Sequence, residues 1–223
     1  MVINRLSGYD RAVKGLYEEL VQMGRAVDEM LSMAMQSLME HNASLAREVI
    51  DRDNQIDDWD YGLEQKALEL IMLQQPRDVD LRILASIMRI TKDLERIADY
   101  AVNVAEMAIR LTNHYPHFKP LGDIQRMHEM AKSMLKKSIL ACVERNTSIA
   151  REVGEEDQKL DNLFYELYDE LINFMKKDSE YIDWAVGLSM VARFLERVGD
   201  HAVNIAEMVI YMMTGERRPF VNK

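Results

Sequence analysis

A sixteen-residue helical motif occurs twice in this chain, and its repetition limits what the chain can fold into. Residues 92–107 read KDLERIADYAVNVAEM and residues 193–208 read RFLERVGDHAVNIAEM. A helix periodicity alone would repeat apolar positions; here Glu, Arg, Asp, Asn and a second Glu recur as well. On a helix of about 3.6 residues per turn, Glu95, Asp99, Asn103 and Glu106 fall within about 80° of one another. They form one polar ribbon of oxygen ligands, and Glu196, Asp200, Asn204 and Glu207 form its copy. Like charges four apart on an isolated helix cost roughly 0.2–0.5 kcal/mol per pair. Two such ribbons therefore call for a counter-charge, which a multivalent cation would supply.

The repeat extends beyond the motif. NASLAREV at 42–49 returns as NTSIAREV at 146–153, an offset of 104, whereas the LER motif returns at an offset of 101. The difference belongs in the hairpin between the second and third helix of each half, where loops tolerate length changes. Proline and glycine are sparse, so the helices are long. The pattern predicts helices over about 9–40, 45–74 and 78–112, then over 123–144, from the turn at Asn146 to about 176, and over 179–214. Pro76 ends the second helix. Gly215 followed by Pro219 closes the last. The expected fold is all-α: a tandem duplication of an antiparallel three-helix bundle. Residues 1–113 make the first repeat, 114–122 a linker, 123–215 the second repeat and 216–223 a C-terminal tail.

A second set of acids comes with the duplication. Asp53 and Asp57 match Asp157 and Asp161, each pair on the second helix of its half. The midpoint between Asp57 and Glu95 is residue 76, the breaker itself. Arms of equal length at about 1.5 Å per residue set Asp57 level with Glu95 and Asp53 level with Asp99. The equivalent midpoint in the second half lies between Asp178 and Ser179, again at the turn. Facing carboxylates on adjacent helices are expected in both halves, at the margin of the apolar stripe. Hard oxygen donors select Mg²⁺, Mn²⁺ or Ca²⁺, with iron or zinc if a histidine joins. His201 is the only histidine in either motif, and Tyr100 is its counterpart. The competing reading is that the acids form salt bridges with Lys92, Arg96, Arg193 or Arg197, or simply face water.

Composition excludes several classes. A net charge of −10 and a pI near 5.1 oppose nucleic-acid binding, which needs Lys and Arg to neutralise phosphates. The amino-terminal stretch has no apolar signal core, and no apolar run is long enough to span a bilayer, so a cytoplasmic protein is expected. The lone Cys142 is expected to be a small core residue. No Gly-rich phosphate loop, HExxH, CxxC or GxSxG occurs, and no Glu stands three residues before a histidine. No catalytic residues are assigned and an enzyme is not expected.

LERIADYAVNVAE, LERVGDHAVNIAE, the QQP at 74–76 followed by DVDLR at 78–82, and the paired DxxxD at 53–57 and 157–161 together resemble the PhoU family of bacterial phosphate-transport accessory proteins. The resemblance covers nearly the whole chain. It implies two similar three-helix bundles and multinuclear metal sites holding iron, zinc, manganese or magnesium. By position those sites fall on Asp53, Asp57, Glu95 and Asp99 and on Asp157, Asp161, Glu196 and Asp200. Tyr100 stands where the family often has histidine, which sets the first site apart. The resemblance also implies a cytoplasmic homodimer that reaches the membrane only through its partners, the ATPase subunit of the phosphate transporter and a sensor histidine kinase. In that role the protein would help hold the phosphate-starvation response off. A carboxylate-bridged metal enzyme and a metal-free helical scaffold are the alternatives.

Overall fold

The computed structural model describes residues 2–111, 121–216 and 220, with side chains described for 8–111, 122–216 and 220. The chain forms α1 (Val2–Glu40), α2 (Ala43–Gln74), α3 (Asp78–Leu111), α4 (Leu121–Glu144), α5 (Thr147–Lys177), a 3-10 turn (Ser179–Tyr181) and α6 (Ile182–Thr214). Most of the expected linker, the expected helix end at Thr112 and most of the tail lie outside the described residues.

Local chemistry sets the ends. The Asn42 side chain accepts from the Leu45 amide at 3.1 Å, and Asn146 accepts from the Ser148 and Ile149 amides at 2.9 and 3.3 Å. Each satisfies donors that the first turn of a helix leaves open. Gln75 turns left-handed at φ 47° and donates its amide to Ile71 O at 3.0 Å, which ends α2 immediately before Pro76. Gly215 does the same for α6 at φ 77°, the conformation glycine adopts without a Cβ penalty. Several helix starts differ from expectation: α1 begins at Val2 rather than about residue 9, α2 at Ala43 rather than about 45, and α4 at Leu121 rather than about 123. The last α-helix begins at Ile182 rather than Ser179, because Asp178 accepts from the Glu180 amide at 3.0 Å and tightens the entry into a 3-10 turn.

Each half is an antiparallel hairpin backed by a third helix. α3 packs on α1 and α2, α6 packs on α4 and α5, and α3 against α6 joins the halves, with a smaller contact between α1 and α4. Fully buried Leu94, Ile97, Ala98, Ala101, Val104 and Ala105 of α3 belong to the same core as Leu195, Val198, Ala202, Ile205 and Ala206 of α6. Small residues at the duplicated positions let backbones approach closely. A close approach occurs at Gly199, where a Cβ would lie 2.5 Å from Leu160 Cδ2 and 3.4 Å from Asp157 Oδ1. Ala98 holds the matching position in the first half. Cys142 is a buried free thiol whose pKa burial pushes up to about 12, so it is inert packing at neutral pH. Met23, Met30 and Met35 are buried too, adaptable filler between the helices of the first bundle. Among the described residues no helix is long and apolar enough to cross a membrane.

Gly199→Leu is expected to force α5 from α6 and destabilise the protein by about 1–3 kcal/mol. Ala98→Leu tests whether that sensitivity is shared by the first half. Urea unfolding followed by circular dichroism measures both.

Candidate functional site

In the first half, the hairpin at Pro76 brings α2 and α3 together so that Asp53 approaches Glu95 and Asp99. The Asp53 carboxyl feels all three neighbours. Its pKa is raised above 3.8, first by burial and then by the negative charges of Asp57, Asp99 and Glu95. Glu95, at the edge of the core, is only 8% exposed. Lys92 Nζ lies 2.9 Å from Glu95 Oε1 and 3.5 Å from Asp60 Oδ2. Arg96 Nη1 lies 2.7 Å from Asp99 Oδ2, with its Nε 3.5 Å from Glu95 Oε2. Hydrogen bonding to Glu95 in turn raises the Lys92 pKa.

The second half repeats this arrangement. Arg193 Nη1 is 2.6 Å from Glu196 Oε1, Arg197 Nη1 is 2.8 Å from Asp200 Oδ2, and Arg197 Nε is 3.7 Å from Glu196 Oε2. The Glu196 pKa is raised, chiefly by burial and then by Asp200, with Asp161 adding to it. Arg193 and Arg197 pull the other way without cancelling the shift. Asp161, on α5, thus reaches Glu196 on α6 as the equal-arm argument requires. Asp157 is 3% exposed and lies beneath Gly199.

The sequence left two readings of these acids open, a cation site and internal salt bridges. The carboxylates converge from two helices, and cationic side chains from the same helix lean on them. Among the described residues, no group of three or more His, Cys, Asp or Glu side chains is arranged to hold a metal ion. Carboxylate oxygen is the donor type that hard cations take. Glu95 Oε2 and Glu196 Oε2 are both buried and accept no hydrogen bond; their nearest cations are the guanidinium contacts at 3.5 and 3.7 Å. A buried carboxylate oxygen in that position is under-satisfied, and a cation is the group that would complete it.

Three of the expected ligands are engaged elsewhere. His201 Nδ1 lies 2.8 Å from Asp93 Oδ1, and Asn204 Nδ2 donates to the same oxygen at 3.3 Å. On α6, His201 stands about 140° round the helix from Glu196, so it faces the seam with α3 and not the acids of α5. Glu207 Oε1 accepts the Phe220 backbone amide at 2.9 Å. Asn103 is half-buried and Glu106 exposed, further along α3.

Asp93 and Asp60 were not among the expected site residues. A signal for Asp93 was present in the repeat. At the offset of 101, Asp93 matches Phe194 and Tyr100 matches His201. The seam accordingly pairs Asp93 with His201 on one side and Tyr100 with Phe194 on the other, ring centroids 6.1 Å apart. Complementary exchanges at paired positions across a pseudo-twofold axis mark a contact between the copies.

Comparison with known proteins follows the same division. A family model described as PhoU domain matches residues 20–108 and again 124–209. The phosphate-specific transport system accessory protein PhoU homolog 1 of Methanothermobacter thermautotrophicus is 34% identical over 209 residues, covering 94% of this chain and 95% of that protein. A PhoU homolog of Aquifex aeolicus is 38% identical over 199 residues, covering 89% and 90%. The crystal structure of PhoU from Pseudomonas aeruginosa superposes with a TM-score of 0.89 at 28% identity, over 93% of this chain and all of that one. That of the phosphate transport system regulatory protein PhoU from Streptococcus pneumoniae gives 0.88 at 27%, over 94% and 99%.

A raised carboxylate pKa makes the folded state hold its proton more tightly than the unfolded chain. The resulting destabilisation is complete above the folded pKa and is relieved as pH falls through it. Asp53→Asn is therefore expected to raise the melting temperature at pH 7 by about 1–3 °C. The gain should disappear below the ordinary Asp pKa near 3.8. Thermal denaturation at several pH values measures it.

Proposed function

The chain belongs to the PhoU family, and on that premise we propose that it is an accessory regulator of phosphate transport that binds metal ions on its two acidic faces. The convergence of α2 with α3, and of α5 with α6, around under-satisfied buried carboxylates carries the metal reading. Asp53, Asp57, Glu95 and Asp99 would hold the cation of the first half, and Asp157, Asp161, Glu196 and Asp200 that of the second. A bound cation would offset the mutual repulsion of these groups and tie each hairpin's two arms together. Lys92, Arg96, Arg193 and Arg197 would give up part of their contact with the acids in exchange. Protons compete for the same oxygens, so acidification weakens cation binding.

The finer role follows the family reading. As a cytoplasmic homodimer the protein would dock on the transporter ATPase and on a sensor histidine kinase, and help hold the phosphate-starvation response off when phosphate is plentiful. Its long, rigid helices suit an adaptor of this kind. The ion pairs at 2.6–2.9 Å from Lys92, Arg96, Arg193 and Arg197 support a second reading, in which the acids are internally neutralised and the adaptor is metal-free.

Metal analysis of protein purified without chelator separates the two. The metal reading expects at least about one ion per chain, a melting temperature that falls on chelation by mass action, and loss of the ion with retained helicity in Asp99→Ala/Asp200→Ala. Less than roughly one ion per two chains supports the metal-free adaptor. Affinity capture from phosphate-replete cells, scored for the transporter ATPase and the kinase, tests the regulatory role.

A further inference from the structure

The contact between α1 and α4 is the smallest among the packed α-helices, and a groove opens beside it. The two helices cross at Gly24, where the Ile139 side chain occupies the space a Cβ would take. A cavity of about 620 Å³ lies between them toward the start of α1, bounded by Ile83 of α3 and by Val143 at the end of α4. A second cavity of about 330 Å³ flanks the crossing and shares Val21, Arg25 and Val143 with the first, so the two form one groove. Tyr9, Val13, Tyr17 and Val21 line it at four-residue steps, one apolar stripe on α1. From α4, Leu140 and Val143 meet it while 45% and 44% exposed. The Tyr9 hydroxyl donates to Asp80 O and the Tyr17 hydroxyl to Met212 Sδ, both at 3.3 Å, so the rings are fixed walls. Charge is sorted along the groove. Asp10 and Asp80 stand at one end, and Arg25 and Lys136 at the other, fifteen residues or about 22 Å further along α1. Between the ends, Lys14 and Glu18 pair at 3.6 Å, and the Arg145 guanidinium lies over the Tyr17 ring at 5.6 Å. Among the described residues Asp10, Asp80, Arg25 and Arg145 form no ion pair, and Lys136 has Asp28 at 3.5 Å.

We propose that this groove is the docking site for an amphipathic helix of about four turns on a partner protein. Its amino-terminal end carries lysines or arginines over Asp10 and Asp80, and its carboxy-terminal end carries carboxylates against Arg25 and Lys136. The walls are helices whose backbone groups are already paired, so an extended segment would find nothing there to bond its amides and carbonyls. A helix bonds its own. Apolar residues at three- and four-residue steps on that helix meet the stripe of α1 on one side and Leu140 and Val143 on the other. Its macrodipole agrees with the sorted charge, positive at the acidic end of the groove and negative at the basic end. The docked helix therefore runs parallel to α1 and antiparallel to α4. The inference gives the adaptor reading above a surface and rests on that reading for the partner; it involves neither the acidic faces nor a cation.

The test uses the full chain and two fluorescein-labelled amphipathic helical peptides of about four turns, identical except that their charged ends are exchanged. Fluorescence anisotropy is expected to show the peptide with a basic start and an acidic end binding about tenfold more tightly than the other. Val143→Glu should weaken that binding about tenfold, and Asp10→Lys/Arg25→Glu should erase the preference between the peptides. All three residues are exposed, so these changes leave the fold intact. Equal binding of the two peptides, or an affinity unchanged in Val143→Glu, would overturn the groove. In phosphate-replete cells, a photocrosslinking residue in place of Val143 is expected to capture a helical segment of the transporter ATPase or of the sensor kinase. One in place of the exposed Tyr61, on α2, serves as the control. Capture of those partners through Tyr61 alone would overturn the groove and leave the adaptor reading standing. Crosslinks from Val143 to a second copy of this chain would overturn the partner helix in favour of self-association. Selective peptide binding with neither partner captured at either position would overturn the adaptor reading while the groove stands.

Discussion

Carboxylates on neighbouring helices repel, and here the repulsion is held in place by the packing of two hairpins on a shared apolar core. Asp53 meets Asp57, Asp99 and Glu95, and Glu196 meets Asp200 and Asp161, in positions shielded enough from water that both pKa values rise. The apolar residues supply the force. Each fully buried Leu or Ile contributes about 1.5–3 kcal/mol, and α3 and α6 bury many of them along their shared seam. Unfavourable charge placed beside a core of that size is tolerated, and it gives a cation something to stabilise.

Duplication explains why the arrangement occurs twice, and divergence explains why the copies differ. Arg96 with Asp99 and Arg197 with Asp200 keep nearly the same geometry, 2.7 and 2.8 Å. Around them the copies have separated. Ala98 has become Gly199 or the reverse, which draws Leu160 and Asp157 against α6. The seam exchanges a Tyr–Phe contact for an Asp–His one. Ile50 in the first half corresponds to Gly154 in the second, and Phe220 packs against the glycine.

Much of this was legible in the residues. Sparse breakers located the helices, and Pro76 with the Asp178–Ser179 turn pointed to the register in which Asp53 meets Glu95 and Asp99, and Asp161 meets Glu196. Rotation about a helix and the partner of Glu207 were not legible. His201 belongs to the motif by sequence yet lies about 140° from Glu196, and which helix covers that face depends on how the halves dock. Glu207 continues the acidic ribbon by spacing, but its partner lies thirteen residues on, beyond the helix end. The start of α6 moved because one side chain, Asp178, competes for a backbone amide, a local choice that periodicity does not register.

The most direct test of the account is a ¹³C-detected NMR titration of the Asp53 carboxyl in cation-free protein. Convergence of the four acids predicts a pKa above 3.8 that falls back toward the ordinary value in Glu95→Gln/Asp99→Asn and is displaced sharply downward by a saturating divalent cation. An Asp53 pKa at or below the ordinary value, unchanged by those substitutions, would mean that the acids of α2 and α3 do not act on one another.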